Sequence, residues 1–508
     1  MFFVPLYFEG LRTRPLLIFW LATLTQAAIW LAVPLAFYAA PPGELPELIA
    51  IGRQFPLDAN VGPPLAYWLA AIVFSAFGLV GVYALSQVCV VTTYCCVFAL
   101  GRAITGEVYA AIAVLLMVGI AVFTVPTPEF GPSILAMALW AVVLLHYWRA
   151  VVQERRRSWY VLGAAAALLL LTTEAALILL APLAVFTVMT KRGRGSIGTI
   201  EPWIIAVVLV VVLFGHLLWL EGVGDGLTPT LERLRSAEMA EAGTADWLRL
   251  LGLLLLAHAG LAILVTLASG RPRSHAGPTP ALARLPVAPF AVTFVKVFAL
   301  LPALLATIFA VVLGERIPIG GAAPLLVLSG LAVVVAAGDN LVLYHQRILG
   351  YAWAGLLIVP AIFIPAVIAM LPWMTGTDLS IAQPAAAMGH FFAESFERRT
   401  GRPLAVVSGD SRTAALVAMS APSHPNIYFD SDPERTPRVT AEDIREKGAV
   451  VVWPAADAAL TPPPAIRAHF PDLVAEVPQT FERAVRGRLP PLRIGWGMVR
   501  PANAAAAR

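Results

Sequence analysis

Eleven apolar runs, each close to the length of a bilayer crossing, recur along the 508 residues: near 15–38, 79–100, 108–124, 132–149, 159–172, 174–190, 202–220, 247–269, 288–313, 321–337 and 349–371. A helix needs about 20 apolar residues to cross the hydrocarbon layer. Only helices and closed barrels satisfy their backbone polar groups inside it. Runs of this length therefore point to a polytopic α-helical membrane protein with about 11 transmembrane helices. Charged residues make up only 13% of the chain, about half the share of a soluble domain. The segment 64–77 reads as a shorter helix partly in the interface. The runs 159–172 and 174–190 are short and broken at Thr172, Thr173 and Glu174, a break tolerated where it lines a protein-enclosed cavity. The first run is too long for a signal peptide and lacks a clean small-residue cleavage site, so it reads as a retained span.

Orientation follows from where Lys and Arg collect. One set of loops holds Arg12 and Arg14, Arg155–Arg157, Lys191, Arg192 and Arg194, and Arg271, Arg273 and Arg284. The other holds Glu44, Glu47 and Asp58, the turn Thr127–Glu129, and residues 221–246. The two sets alternate if the N-terminus is cytoplasmic, which puts the C-terminal region outside. The net charge of +4 comes from these short clusters and is no nucleic-acid footprint. Cys89, Cys95 and Cys96 share one apolar run, so neither a disulfide framework nor a zinc site is indicated.

From about Gln383 the apolar runs shrink to strand length. AVVSGDS (405–411), NIYFDSD (426–432) and GAVVVWP (448–454) read as buried strands ending in polar turns. A helix start lies between them at Thr440, with Asp443 placed for a capping box. The alternation predicts a small α/β domain with a parallel sheet. The expected division is a membrane domain over 1–375 with an acidic first outer loop at 39–64, an extracytoplasmic α/β domain over 376–488, and a disordered tail over 489–508. Asp410, Asp430 and Asp432 end predicted strands, where α/β domains commonly place ligand sites. No Gly-rich phosphate fingerprint accompanies them.

The chemistry is concentrated in acids at membrane edges. Glu44 and Glu47 lie three residues apart and share a face if helical. Such carboxylates can act as a general base or hold a divalent cation, and they equally suit a solvated outer loop. Glu129 sits in a Pro- and Gly-fixed turn, VPTPEFGPS (125–133), as a second acid of one cavity or as a favourable charge at a helix start. Glu174, between apolar runs, is either a functional ionisable residue or an acid in a surface hairpin. His216 and Glu221 flank the outer end of the seventh run, and Arg316 sits in a short outer loop. An Arg there can pair with a lipid phosphate or anchor the chain at the interface. Tyr344, His345 and Arg347 form a polar cluster on the cytoplasmic side.

In order along the chain, the acidic first loop, the helix start VGPPL (61–65), the turn Thr127-Pro128-Glu129 and the broken pair at Thr173-Glu174 resemble the GT-C glycosyltransferases. The similarity is greatest to the bacterial branch related to protein O-mannosyltransferases and aminoarabinose transferases (family 39). GRPLAVVSGDS (401–411) resembles the extracytoplasmic tail of some members. The resemblance implies a sugar donor linked to polyprenyl phosphate, a lipid, lipopolysaccharide or protein acceptor, and an active site outside a bacterial cytoplasmic (inner) membrane. Glu44 stands where the family has its catalytic Asp. Glu129 replaces the Asp of a Thr-Pro-Asp turn. Val61-Gly62 stands where a basic residue precedes Pro-Pro-Leu, and Thr173-Glu174 replaces Lys-Tyr.

The reading is therefore a membrane glycosyltransferase with Glu44 as general base and Glu47, Glu129, Glu174, Arg316 and His216 as substrate-binding residues. No cofactor is indicated with certainty; a divalent cation on Glu44 and Glu129 is the one these acids would admit. Expected partners are a polyprenyl-phosphate-linked sugar, membrane lipids and a membrane protein partner, with no nucleic acid. Because two expected cations are missing, the second reading keeps the fold without catalysis, as an accessory or lipid-binding subunit of a membrane complex. Two related halves with interrupted helices are not seen, which disfavours a transporter.

Overall fold

The computed structural model describes residues 9–55, 62–222, 238–269, 282–284, 286–313, 319–341, 345–429, 436, 439–455, 462–471 and 473–502. Each predicted apolar run is largely helical, in the order α1 (Pro15–Phe37), α2 (Leu45–Gly52), α3 (Leu65–Thr105), α4 (Glu107–Met117), α5 (Pro132–Val151), α6 (Arg156–Leu170) and α7 (Ala176–Met189). There follow α8 (Lys191–Ile197), α9 (Glu201–Gly222), α10 (Glu238–Ala257), α11 (Ala259–Ala268), α12 (Pro289–Leu313), α13 (Ser329–Ala336) and α14 (Gln346–Met374). Among the described residues, α1, α3, α5, α14 and residues 289–308 of α12 are long and apolar enough to cross a membrane. Two bent pairs, α7 with α8 and Leu248–Ala257 with α11, raise five crossings to seven. Among the described residues, Glu107–Met117, Glu201–Gly215 and Ala322–Ala336 are shorter apolar helices. The expected helices at 64–77 and 79–100 are joined in α3, with a break at Gly78 (φ 61°, ψ −155°), a backbone state glycine reaches at little cost.

Packing divides the chain into two compact units that do not follow chain order. One holds residues 1–31, 84–128 and 132–362; the other holds 32–83, 129–131 and 363–508.

In the first unit, Tyr147 and Trp148 of α5, Phe186 of α7, and Phe290, Phe294 and Phe298 of α12 form an aromatic core. Tyr147 stacks on Phe294 with ring centroids 5.9 Å apart. After α4 the chain leaves the helical path until α5, so its carbonyls need partners that lipid cannot supply. Polar side chains of neighbouring helices meet them. Gln26 Nε2 donates to the Phe123 carbonyl (2.5 Å) and to Tyr94 Oη (2.9 Å). Ser86 donates to the Thr127 carbonyl, and Gln87 Nε2 to Thr127 Oγ1 (3.2 Å). Buried glutamine and serine here serve the irregular segment that carries the Thr-Pro-Glu turn. Arg284, read from sequence as one of a basic cluster, pairs with Asp339 (3.2 Å) and lies over Tyr109. It donates to the carbonyls of Val334 and Val335 in the last turn of α13.

The second unit is built on a five-stranded sheet of β1 (Val406–Gly409), β2 (Asn426–Tyr428), β3 (Ala449–Pro454), β4 (Val474–Phe481) and β5 (Leu492–Val499), in the order β2-β1-β3-β5-β4. Helices α15 (Ala385–Thr400), α16 (Ser411–Ser420), α17 (Ala441–Lys447) and α18 (Pro464–His469) accompany it. β1, β2 and β3 are parallel because α16 and α17 provide the crossovers. β5 runs antiparallel to both β3 and β4, so the sheet is mixed rather than parallel. Side chains alternate between two cores. Val407, Val450 and Val452 pack with Phe392, Phe396, Ile494 and Trp496; Val406, Val451 and Trp453 pack with Ile444 and Phe470. The capping box forms as expected, Thr440 Oγ1 accepting from the Asp443 amide (3.1 Å) and the Asp443 carboxylate from the Thr440 amide (3.1 Å). The expected disordered tail at 489–508 is corrected: residues 492–499 are β5, hydrogen-bonded on both sides. Leu492, Ile494, Trp496 and Met498 alternate along it onto one core.

Candidate functional site

Helix α2 is eight residues long with seven of them buried. Its apolar side makes it part of the α/β unit: Ala50 and Ile51 enter the sheet core beside Met388, Phe392 and Ile427. The chain on either side is tied to the same unit. The amides of Ala39 and Ala40 both donate to the Ile381 carbonyl (2.9 and 3.0 Å). Beyond the helix, Arg53 donates to the His424 carbonyl (3.3 Å) and Gln54 Nε2 to the Ile427 carbonyl (2.7 Å).

Glu44 occupies the N-cap position of α2, yet its side chain caps nothing and is exposed. The backbone there is held from 85 residues away: Glu129 Oε1 accepts the Glu44 amide at 3.0 Å. A carboxylate at a helix N-terminus is well placed electrostatically, and the contact holds the backbone from which the Glu44 carboxylate projects. Gly43 makes this possible. Its φ is +51°, and a Cβ on it would fall inside the Glu129 carboxylate. Glu47, half-buried, accepts a hydrogen bond from Ser411 Oγ at 3.0 Å.

The polypeptide that meets this loop is the β1–α16 junction. Asp410 caps α16, accepting from the Thr413 amide (3.0 Å) and hydroxyl (2.6 Å), so this strand-end acid is structural. Ser411 reaches Glu47. Arg412 Nη1 donates to the Gly43 carbonyl, while Nη2 donates to the carbonyls of Pro41 (3.1 Å) and Ser380 (3.2 Å). Burial lowers the Arg412 pKa from its ordinary value, and Glu47, Glu129, Asp410 and Asp378 oppose that shift. An arginine starts from so high a value that it stays charged.

The structure therefore brings Glu44, Glu47 and Glu129 together around one loop. Among the described residues no three His, Cys, Asp or Glu side chains converge as a metal would need. Glu174 belongs to the other unit, exposed in the turn between α6 and α7, where Thr173 Oγ1 accepts from the Ala175 amide (3.2 Å). His216 lies in α9 with its side chain outside the described residues, as is that of Glu221; Arg316, Asp58, Val61, Tyr344, Asp430 and Asp432 also lie outside them. Sequence reading missed Ser411 and Arg412. Their only sign was a strand-end Gly-Asp-Ser-Arg, and nothing in that spacing points to residues 41–47.

The many-helix body with a small α/β domain is an ArnT-like GT-C fold. The family model described as dolichyl-phosphate-mannose-protein mannosyltransferase matches residues 61–219. Two solved structures of ArnT from Cupriavidus metallidurans are similar over nearly the whole of both chains. The form bound to undecaprenyl phosphate shares 12% identity with a TM-score of 0.57, covering 95% of this chain and 98% of that one. The apo form shares 11% identity with a TM-score of 0.50, covering 96% and 98%. No curated protein matches by sequence.

Proposed function

We propose that this protein is a membrane glycosyltransferase that takes a sugar from a polyprenyl-phosphate carrier and passes it to a hydroxyl on a lipid, lipopolysaccharide or protein acceptor. The site faces the outside of a bacterial cytoplasmic membrane, with the N-terminus cytoplasmic. The observation that carries this reading is the carboxylate of Glu44, exposed at a helix start, making no cap hydrogen bond and carried on backbone that Glu129 holds, in a chain with the ArnT-like fold. Undecaprenyl phosphate is bound in one of the ArnT structures, which supports the choice of carrier.

In the reaction, the Glu44 carboxylate accepts the proton of the acceptor hydroxyl as that oxygen attacks the anomeric carbon. The bond from that carbon to the carrier's phosphate oxygen breaks, polyprenyl phosphate leaves with the electron pair, and configuration inverts. Glu129 holds the backbone beneath the base, and Glu47 is fixed by Ser411 one turn further on. A base of this kind contributes about 10²–10⁴-fold. Purified Glu44→Gln protein, given a radiolabelled polyprenyl-phosphate sugar, is expected to lose transfer by that factor while keeping its thermal melting temperature. Transfer at the wild-type rate would remove Glu44 from the mechanism. A wild-type protein that turns over no such donor and co-purifies with a stoichiometric membrane partner would favour the accessory reading.

A further inference from the structure

We propose that Arg412 is the positioning residue of the acidic loop: its guanidinium fixes the backbone immediately ahead of Glu44, so the α/β domain sets where the base sits. The inference rests on the reading above only in taking Glu44 as the base. Arg412 is the second residue of α16, and a cation in a first helical turn faces the positive end of the helix dipole. Something other than helix stability must account for it. What it meets is three carbonyl oxygens from two chain segments, Pro41 and Gly43 on one side and Ser380 on the other.

A planar fork meets that set from two nitrogens held at fixed spacing, whereas a lysine presents its three donors from a single point. Both Nη atoms are thereby engaged with backbone, and Nε is buried without a hydrogen-bond partner. The guanidinium charge is balanced by Glu47, Glu129, Asp410 and Asp378, the first two of which belong to the candidate site. The expected basic residue ahead of Pro63-Pro64 is absent from the sequence. A cation nevertheless reaches the loop, from 369 residues away, and it acts on the loop's shape.

The test is amide hydrogen exchange on full-length protein in lipid nanodiscs, with transfer kinetics alongside. In Arg412→Ala, exchange over residues 41–52 is expected to accelerate roughly tenfold or more, the loss associated with hydrogen bonds to a charged donor. Strands β1 and β3 should keep wild-type protection, kcat should fall, and the KM for the donor should stay within about twofold. Millimolar guanidinium should restore part of the loop protection and part of kcat. Should Arg412→Ala fail to fold, with the sheet exchanging as well, Arg412→Lys is read instead: charge is kept, the fork is lost, and the loop should still loosen. Wild-type loop protection in the folded variant, or a rise in donor KM with the loop unmoved, would overturn the proposal. Loop exchange needs no turnover. If Glu44→Gln keeps transfer while Arg412→Ala loosens the loop, the base assignment fails and the positioning role stands.

Discussion

Two acidic interruptions of apolar sequence, the loop holding Glu44 and Glu47 and the break holding Glu174, look alike on paper and differ in three dimensions. Around the first, the structure gathers a second acid, an arginine, a serine and a buried eight-residue helix. Around the second, the threonines close a short turn: Thr172 Oγ1 donates to the Leu168 carbonyl (2.7 Å) and Thr173 Oγ1 accepts from the Ala175 amide. The difference teaches that an acid beside a membrane is informative only with its donors. A carboxylate whose own backbone is held by other groups is free to react; one in a self-contained turn is adequately explained by solubility and the helix dipole.

After the loss expected for Glu44→Gln, the sharpest way to break this contrast is Gly43→Ala. The residue sits at φ +51°, and its Cβ would displace the Glu129 carboxylate. Left-handed backbone strain and a lost hydrogen bond add together, so transfer should fall by at least about tenfold, with the amide of Glu44 exchanging faster. Wild-type transfer with a normally protected loop would show that the Glu129 contact does not matter. Glu129 itself sharpens the point more gently. In Glu129→Gln an amide oxygen can still accept from the Glu44 amide, so a loss of only about two- to fivefold is expected from the missing charge. Glu129→Ala leaves that donor unmet and should cost about tenfold. Equal losses in the two variants would mean that charge, rather than the hydrogen bond, is what Glu129 supplies.

Much of this arrangement was legible in the sequence because it is local. Hydropathy located the helices, short apolar runs ending in polar turns located the strands Val406–Gly409 and Ala449–Pro454, and Thr440 with Asp443 located a helix start. What escaped was set by partners distant in the chain. The C-terminal turn of α2 is buried against a sheet more than 300 residues later, which accepts Ala50 and Ile51. Arg412 reads as an ordinary surface cation until Pro41 and Gly43 are placed against it. β5 is a miss of a different kind: Leu492, Ile494, Trp496 and Met498 alternate onto one core, and neighbours on both sides hold it in the sheet.

The smallest effect belongs to the other half of the contrast. Glu174 is exposed in its turn, and its neighbours Thr172 and Thr173 satisfy backbone groups without it. Glu174→Gln should therefore change both transfer and melting temperature little, by about twofold at most in rate, the scale of an ordinary surface substitution. The same assay that registers Glu44→Gln serves as its control. A large loss of transfer in Glu174→Gln, with the fold intact, would show that this turn contributes to the cavity after all. The distinction between a carboxylate held ready by its partners and one merely closing a hairpin would then have to be redrawn around what the substrate, rather than the protein, brings to Glu174.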